Sequence, residues 1–261
     1  MNTYSKMNED KIIEILLKDL EKIEADLIKR IEAALKAGYF TDVELSQLVA
    51  ELDLYQELNN LGYASKLNDY FDNFDEILLS INEQAKLKGL AGISGVAARD
   101  LDTLITVKAE ELLGRAEYYA KQLRSRLVEN LAAGTPVRQL VESLKEIPLK
   151  DYELTVALNS GIARFERSAT AKVYEESPDQ RFILFGVLDE RTRAACQAVL
   201  ENQDEKGYTK KQIDDGEVQK LVNLYAIDYA KNKSSLEAAI ENEYGFANCG
   251  GFNCRHRFRP I

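Results

Sequence analysis

The stretch Gly245-Phe-Ala-Asn-Cys-Gly-Gly-Phe-Asn-Cys-Arg-His-Arg-Phe-Arg-Pro-Ile261 decides the fold of the second half of this chain. It holds two of the three cysteines and the only histidine, together with three arginines and no acidic residue, in a chain of formal net charge -10. From Cys254 onward, arginines alternate with Cys254, His256 and Phe258. This period of two predicts a β-strand with two different faces.

A second motif, Asp189-Glu-Arg-Thr-Arg-Ala-Ala-Cys196, holds the third cysteine. The run 181–188 before it is short, apolar and rich in β-forming residues, so it predicts a strand that pairs with 254–261. Asp189 is expected to cap a helix that begins near Arg191. The two motifs are therefore expected to meet in space.

Length and composition limit the classes of protein to which this chain can belong. The chain has 261 residues, 45% of them hydrophobic and 30% charged, which suits one large globular domain or two ordinary ones. No apolar run is long enough for a transmembrane helix, and the polar start of the chain does not resemble a signal peptide, so we expect cytoplasmic synthesis and no membrane partner. Three cysteines cannot all pair with one another, which leaves free thiols or metal ligands.

The first half of the chain has the spacing of helices. Apolar residues recur at steps of three and four, starting with Ile13, Leu16, Leu20, Ile23 and Leu27. The pattern predicts a helical hairpin over 8–60 and further helices over 67–85, 97–133, 135–146 and 151–176.

The predicted fold is therefore mostly α. A long helical region, residues 1–150, is expected to act as a docking or scaffold arm. A small α+β domain with a short antiparallel sheet is expected to follow over residues 151–261.

The cysteines and the histidine form a candidate metal site. Cys196, Cys249, Cys254 and His256 make a Cys3His set of the kind that zinc binds tetrahedrally in structural sites. The spacing is irregular, and two other interpretations remain: buried thiols with a locally bonded histidine, or a catalytic Cys–His pair. The catalytic interpretation lacks a residue that would orient the histidine.

The alternate arginines Arg255, Arg257 and Arg259 also allow several interpretations. They could form a solvated strand face, pair with acidic residues of the same chain, or contact DNA phosphates or an acidic partner. The sequence pI near 4.9 argues against a general nucleic-acid coat but allows a local basic patch. The helix 162–170 holds Arg164, Glu166 and Arg167 either as a solvated charged face or as a polar cluster that supports the C-terminal domain.

Taken together, these residues resemble the phage head morphogenesis family, the Mu F-like minor head proteins of tailed bacteriophages and prophages. The resemblance lies in Asp189, Arg191, Thr192 and Cys196, and then in the stretch 250–256, which includes Asn253, Cys254, Arg255 and His256. The helix containing Glu166 resembles an upstream family helix. The likeness covers about residues 95–261 and is strongest over 160–261.

The resemblance implies a minor capsid protein of the virion. Such a protein would lie near the portal vertex, would be made in the host cytoplasm, and would act in head assembly, DNA packaging or DNA ejection. The portal protein, the major capsid or scaffold proteins and the packaged phage DNA are its implied partners. Structural zinc would require this chain to substitute ligands, because Arg193 and His256 stand where the family has cysteines.

An enzyme is the alternative class. Mu F-like domains are sometimes fused to toxins such as ADP-ribosyltransferases or nucleases, and a DNA-contacting module that uses the C-terminal arginines is a further alternative. A single histidine restricts general acid–base catalysis. We therefore expect no enzymatic activity.

Overall fold

A computed structural model gives the fold of most of the chain. It describes residues 6–37, 52–93, 95–175, 177–186, 188–190, 192–241, 244–246, 249, 254 and 256–261. The second helix of the predicted hairpin falls mainly on residues 38–51, which lie outside the described residues.

Helices dominate the described part of the chain, and a small three-stranded antiparallel sheet lies near its C-terminal end. The elements are α1 Lys6–Ala37, α2 Leu54–Asn60, α3 Tyr63–Leu87, α4 Val96–Ala132, α5 Val137–Lys145, α6 Tyr152–Val173, β1 Arg181–Phe185, α7 Ala194–Asn202, β2 Tyr208–Thr209, α8 Lys210–Asp214, α9 Glu217–Tyr229, α10 Lys233–Glu241 and β3 Arg257–Pro260. The predicted fold class is confirmed.

The contacts divide the chain into two compact units. The first comprises Met1–Asn73 and Ile105–Thr155, and the second comprises Phe74–Leu104 and Val156–Ile261. The limits of both units fall inside helices α3, α4 and α6.

The first unit is held by the apolar stripe that the sequence shows. In α1, Ile13, Leu16, Leu20, Ile23 and Leu27 are all buried, as their helical spacing predicts. Polar groups complete the packing. The Tyr63 hydroxyl donates to the carbonyl of Leu112 at 2.9 Å, and Arg115 donates to both carboxylate oxygens of Asp151 at 2.7 and 3.0 Å.

The sheet organises the second unit. Its strand order is β2-β1-β3, and β1 pairs antiparallel with β3, with Leu184 opposite Phe258. The predicted pairing of these two segments is confirmed, although β1 ends at Phe185. The inner face carries Phe182, Leu184 and Phe258, which are buried. Phe182 packs edge-to-face on Tyr174 and Phe246, with centroids 5.2 and 4.7 Å apart.

One local prediction is corrected by the structure. Asp189 does not cap the helix, because α7 begins only at Ala194 and its N-cap is Arg193, with no side-chain bond. The polar segment 202–216, for which the sequence predicts no element, contains the short strand β2 and helix α8, which begins with a capping box between Thr209 and Gln212. A polar two-residue strand has too few apolar positions to show a period.

No helix in the described ranges is both long enough and apolar enough to cross a membrane.

The register of β1 can be tested with two phenylalanines of the same strand. We expect Phe182→Ala to lower the free energy of unfolding by about 3–5 kcal/mol, since it removes a fully buried ring. Phe185→Ala is the matched control, because that ring is 48% exposed on the other face, and we expect a loss of about 1 kcal/mol or less. Urea unfolding followed by circular dichroism measures both. Equal losses would contradict the register.

Candidate metal centre

Three side chains of the predicted metal set come together in the second unit. The ligand atoms of Cys196, Cys254 and His256 all lie within 4.8 Å of one another, and all three residues are buried. The two sulfur atoms are 3.4 Å apart, and the Cys254 sulfur is 3.7 Å from Nδ1 of His256. The expectation that the two cysteine motifs meet is confirmed.

These separations match the size of a zinc site. With Zn–S bonds of about 2.3 Å and Zn–N bonds of about 2.0 Å, the ligand atoms of a tetrahedron lie about 3.5–3.8 Å apart. The two measured separations fall at or near that range, before any ion has drawn the ligands together. The donors are sulfur and imidazole nitrogen, which suit zinc better than magnesium or calcium. The residues present therefore fit a metal ion.

Three elements position these ligands. Cys196 lies in the first turn of α7, while Cys254 and His256 directly precede β3. Because β3 is paired to β1, and α7 follows β1 after a short connection, the sheet brings together ligands that are 58 residues apart. Cys254 and His256 are two residues apart and belong to the same buried group. This agrees with the predicted period of two, which places alternate residues of a strand on one face.

Cys249 lies beside this group but not within it. Its thiol is fully buried and contacts the backbone carbonyl of Phe246 at 3.8 Å. The backbone at Cys249 has a φ of 43°, a left-handed conformation that favours glycine. Among the non-glycine residues that the structure describes, only Cys249 has a positive φ.

The pKa values of the three cysteines are shifted in different directions. Contacts from the Cys196 and Cys249 thiols stabilise the Cys254 thiolate and lower the pKa of Cys254 well below its usual value. The contact with Cys254, followed by burial, raises the pKa of Cys196. Burial is the main cause of the raised pKa of Cys249. The lowered pKa favours the thiolate form of Cys254, which is the form of cysteine that binds a metal ion.

Helix α6 holds the C-terminal strand at this site. Arg167 is only 5% exposed and donates from Nη1 to the carbonyls of Cys254 at 2.9 Å and His256 at 3.3 Å. Glu166, one residue earlier, forms an ion pair with Arg257 of β3. Arg164 is exposed. Glu166 and Arg167 thus form a supporting polar cluster, which is one of the two interpretations that the sequence left open.

Two further residues shape the pocket of the histidine and of Cys196. A Cβ atom at Gly186 would overlap the His256 ring, with Cγ at 2.8 Å and Nε2 at 2.9 Å, so only glycine leaves room for the imidazole. The Tyr244 hydroxyl, which is buried, donates to the Cys196 sulfur at 3.6 Å. Burial raises the pKa of Tyr244 well above its usual value, which keeps this donor protonated.

The remaining predicted motif residues have separate roles. Asp189 and Thr192 form a closed turn before α7, in which the Asp189 amide donates to Thr192 Oγ1 at 2.9 Å and that hydroxyl donates to Asp189 Oδ1 at 3.2 Å. Arg257 is paired with Glu166, whereas Arg259 is exposed. The predicted residues Arg191, Asn253 and Arg255 lie outside the described residues.

Comparison of the chain with protein-family models, with curated proteins and with solved structures finds no match in any of the three.

Sequence reasoning missed two residues of this site, Gly186 and Tyr244, and left the role of a third, Arg167, open. Gly186 interrupts an apolar run, which is a weak signal of a close approach by another group. Arg167 has the same residue type and helical face as the exposed Arg164, so only the packing separates their roles. Tyr244 is one of 13 tyrosines and carries no pattern of its own.

The fit between Gly186 and His256 gives a direct test. We expect Gly186→Ala to displace the imidazole and to destabilise the chain by about 1–3 kcal/mol, because the added methyl group overlaps the ring. Gly114→Ala in α4 is the matched control, since nothing lies within 4 Å of its added Cβ, and we expect a gain of about 0.5–1 kcal/mol. Thermal unfolding measures both. A neutral Gly186→Ala would contradict this close packing.

Proposed function

We propose that the chain is a minor head protein of a tailed phage or prophage that associates with the portal and acts in head assembly or in DNA packaging or ejection. One observation carries the proposal. Among the residues that the structure describes, several from the motifs that resemble the phage head morphogenesis family lie far apart in sequence and yet contact one another in the second unit. Cys196 contacts Cys254, Arg167 holds the strand of His256, and Glu166 pairs with Arg257.

This convergence supports the family resemblance for a physical reason. An accidental likeness would scatter its matching residues over a fold, because nothing would require them to contact one another. Here Cys196, Cys254 and His256 form one buried cluster, and Glu166 lies on the helix that holds the same strand. A catalytic use of the Cys254–His256 pair has less support, because these two residues are only 4% and 3% exposed.

The proposal is tested by co-sedimentation with the portal. The full chain is mixed with purified portal rings and with procapsids of the same phage, and the pelleted fractions are quantified. We expect stable association at fewer copies than capsid subunits. An unrelated acidic protein of similar size serves as the control for charge-driven trapping. A chain that stays in the supernatant with both assemblies would contradict the proposal and direct attention to catalysis.

We also propose that the cluster holds a structural zinc ion, with Cys249 as the fourth ligand beside Cys196, Cys254 and His256. Cys249 is fully buried beside these ligands, and a cysteine stands there although its left-handed backbone would suit glycine better. A closed four-ligand site has no open position, which fits a structural ion. The zinc would join α7 to the strand β3 and would neutralise the buried thiolate.

Metal analysis of the purified, reduced chain tests the zinc proposal. We expect about one zinc per chain, and removal of the ion by a chelator should lower the unfolding temperature. After replacement by cobalt, Cys249→Ser should lower the sulfur-to-cobalt absorption by about one third, since two of three thiolates remain. Arg164→Ala, exposed on the neighbouring helix, should change neither quantity.

Two results would contradict parts of this proposal separately. A cobalt spectrum that Cys249→Ser leaves unchanged would exclude Cys249 as a ligand but leave the other three. A chain that binds neither zinc nor cobalt would exclude the metal site, while the portal experiment would remain independent.

A further inference from the structure

Cys196 and Cys254 form a close pair of free thiols in the second unit. Their sulfur atoms are 3.4 Å apart, although the two residues are 58 positions apart in sequence. Atoms that are placed to react with one another lie about 3–3.5 Å apart, so this pair already has the separation of a reactive encounter. A disulfide bond of about 2.0 Å requires the two sulfur atoms to approach one another by roughly 1.4 Å more.

Cys249 is the alternative partner of Cys254, because it carries the third thiol of the chain. Its sulfur does not belong to the group of described ligand atoms that lie within 4.8 Å of one another, whereas the sulfur of Cys196 does. The Cys249 thiol instead contacts the backbone carbonyl of Phe246 at 3.8 Å. Of the two pairs that Cys254 can form, the geometry therefore favours the pair with Cys196.

Burial limits which oxidants can reach this pair. Cys254 is 4% exposed and Cys196 is 1% exposed, so a bulky oxidant such as glutathione disulfide has poor access to either sulfur. Hydrogen peroxide is little larger than water and does not need the same space. Cys254 is the more exposed of the two residues, so its sulfur is the one that we expect a peroxide to oxidise first.

We propose that Cys196 and Cys254 form a peroxide-sensitive oxidation site, whose disulfide joins α7 to the chain that enters β3. In the first step the Cys254 sulfur attacks one peroxide oxygen. An S–O bond forms, the O–O bond breaks, and the thiol proton leaves with the departing hydroxide as water. The product is a sulfenic acid at Cys254.

The second step closes the disulfide. The Cys196 sulfur attacks the sulfur of the sulfenic acid, so that an S–S bond forms and the S–O bond breaks. The proton of the Cys196 thiol joins the departing hydroxide as a second water. The two sulfur atoms lose two electrons in total, which the peroxide takes up. Thiols reverse the reaction, so a reducing compartment returns the pair to its free form once the oxidant is gone.

A zinc ion in the proposed metal centre would be released by the same reaction. This consequence rests on the zinc proposal made above, because the sulfur atoms of a disulfide no longer bind a metal ion as thiolates. The oxidation site itself does not depend on zinc, since the two sulfur atoms are in contact without an ion.

Peptide mapping of the oxidised chain tests the proposal. The full chain is reduced, stripped of metal with a chelator and treated with hydrogen peroxide, and the remaining thiols are then blocked. Trypsin and chymotrypsin together separate Cys249 from Cys254 by cleavage after Phe252, so mass spectrometry identifies the linked pair. We expect peptides joined through Cys196 and Cys254 that dithiothreitol separates again. A link between Cys249 and Cys254, or no link, would overturn the proposal.

Two serine variants provide a matched comparison in the metal-free chain. Cys196→Ser should abolish the link and leave the Cys254 sulfenic acid without a partner, so that dimedone, which traps sulfenic acids, labels Cys254. Cys249→Ser should keep the link, and dimedone should not label Cys254. Equal labelling of Cys254 in both variants would contradict the role of Cys196. If either variant does not fold, the mapping of the unsubstituted chain still decides the question.

A zinc-loaded sample separates this proposal from the zinc proposal. A colour-forming zinc indicator should report about one zinc released for each disulfide formed. A chain that binds no zinc but forms the disulfide would overturn the zinc site alone. A chain that binds zinc but forms no disulfide after removal of the ion would overturn the oxidation site alone. Zinc that stays bound after the disulfide has formed would overturn the proposed release.

Discussion

The contact between the sulfur atoms of Cys196 and Cys254 is the constraint on which the second unit depends. It places the start of α7 against the chain that enters β3, so every other feature of the centre must fit around it. Gly186 leaves space for the His256 ring. Arg167 donates a hydrogen bond to the Cys254 carbonyl, and the Tyr244 hydroxyl donates one to the Cys196 sulfur. The packing also brings two sulfur atoms and an imidazole nitrogen close enough to bind one metal ion.

The sequence predicted the parts of this arrangement that depend on a regular period. Helical spacing located α1 and α4, and alternation located β3 and its pairing with β1. It could not locate β2, which has only two residues. It also predicted Asp189 as the cap of a helix that begins near Arg191, whereas Asp189 forms a turn closed by Thr192 and α7 begins at Ala194. The ligand set could be predicted because cysteine and histidine are rare in this chain. The supporting residues could not be predicted, since nothing in a sequence separates a buried Arg167 from an exposed Arg164.

Arg257 and Arg259 of the C-terminal strand have different surroundings because of their positions in the strand. Arg257 and Arg259 alternate with Phe258, which is buried on the inner face of the sheet, so both belong to the outer face. Glu166 neutralises the first of them, and its helix thereby covers that part of the strand. The second, Arg259, is exposed and lies over the Phe185 ring of the neighbouring strand. The different roles of the two arginines therefore follow from which strand positions α6 covers.

The antiparallel pairing of β1 with β3 also governs the order in which the second unit can fold. Phe185 and Arg257 are partners across a loop of about 70 residues, and closing such a loop costs entropy before any contact compensates for it. Helices α7 and α9, which pack together, are far closer in sequence and can associate early. We therefore expect the β1–β3 pairing and the sulfur cluster to form after these helices have packed. A chain interrupted between these steps would expose Phe182 and Phe258 together with three reduced thiols, which makes the intermediate prone to aggregation and to oxidation.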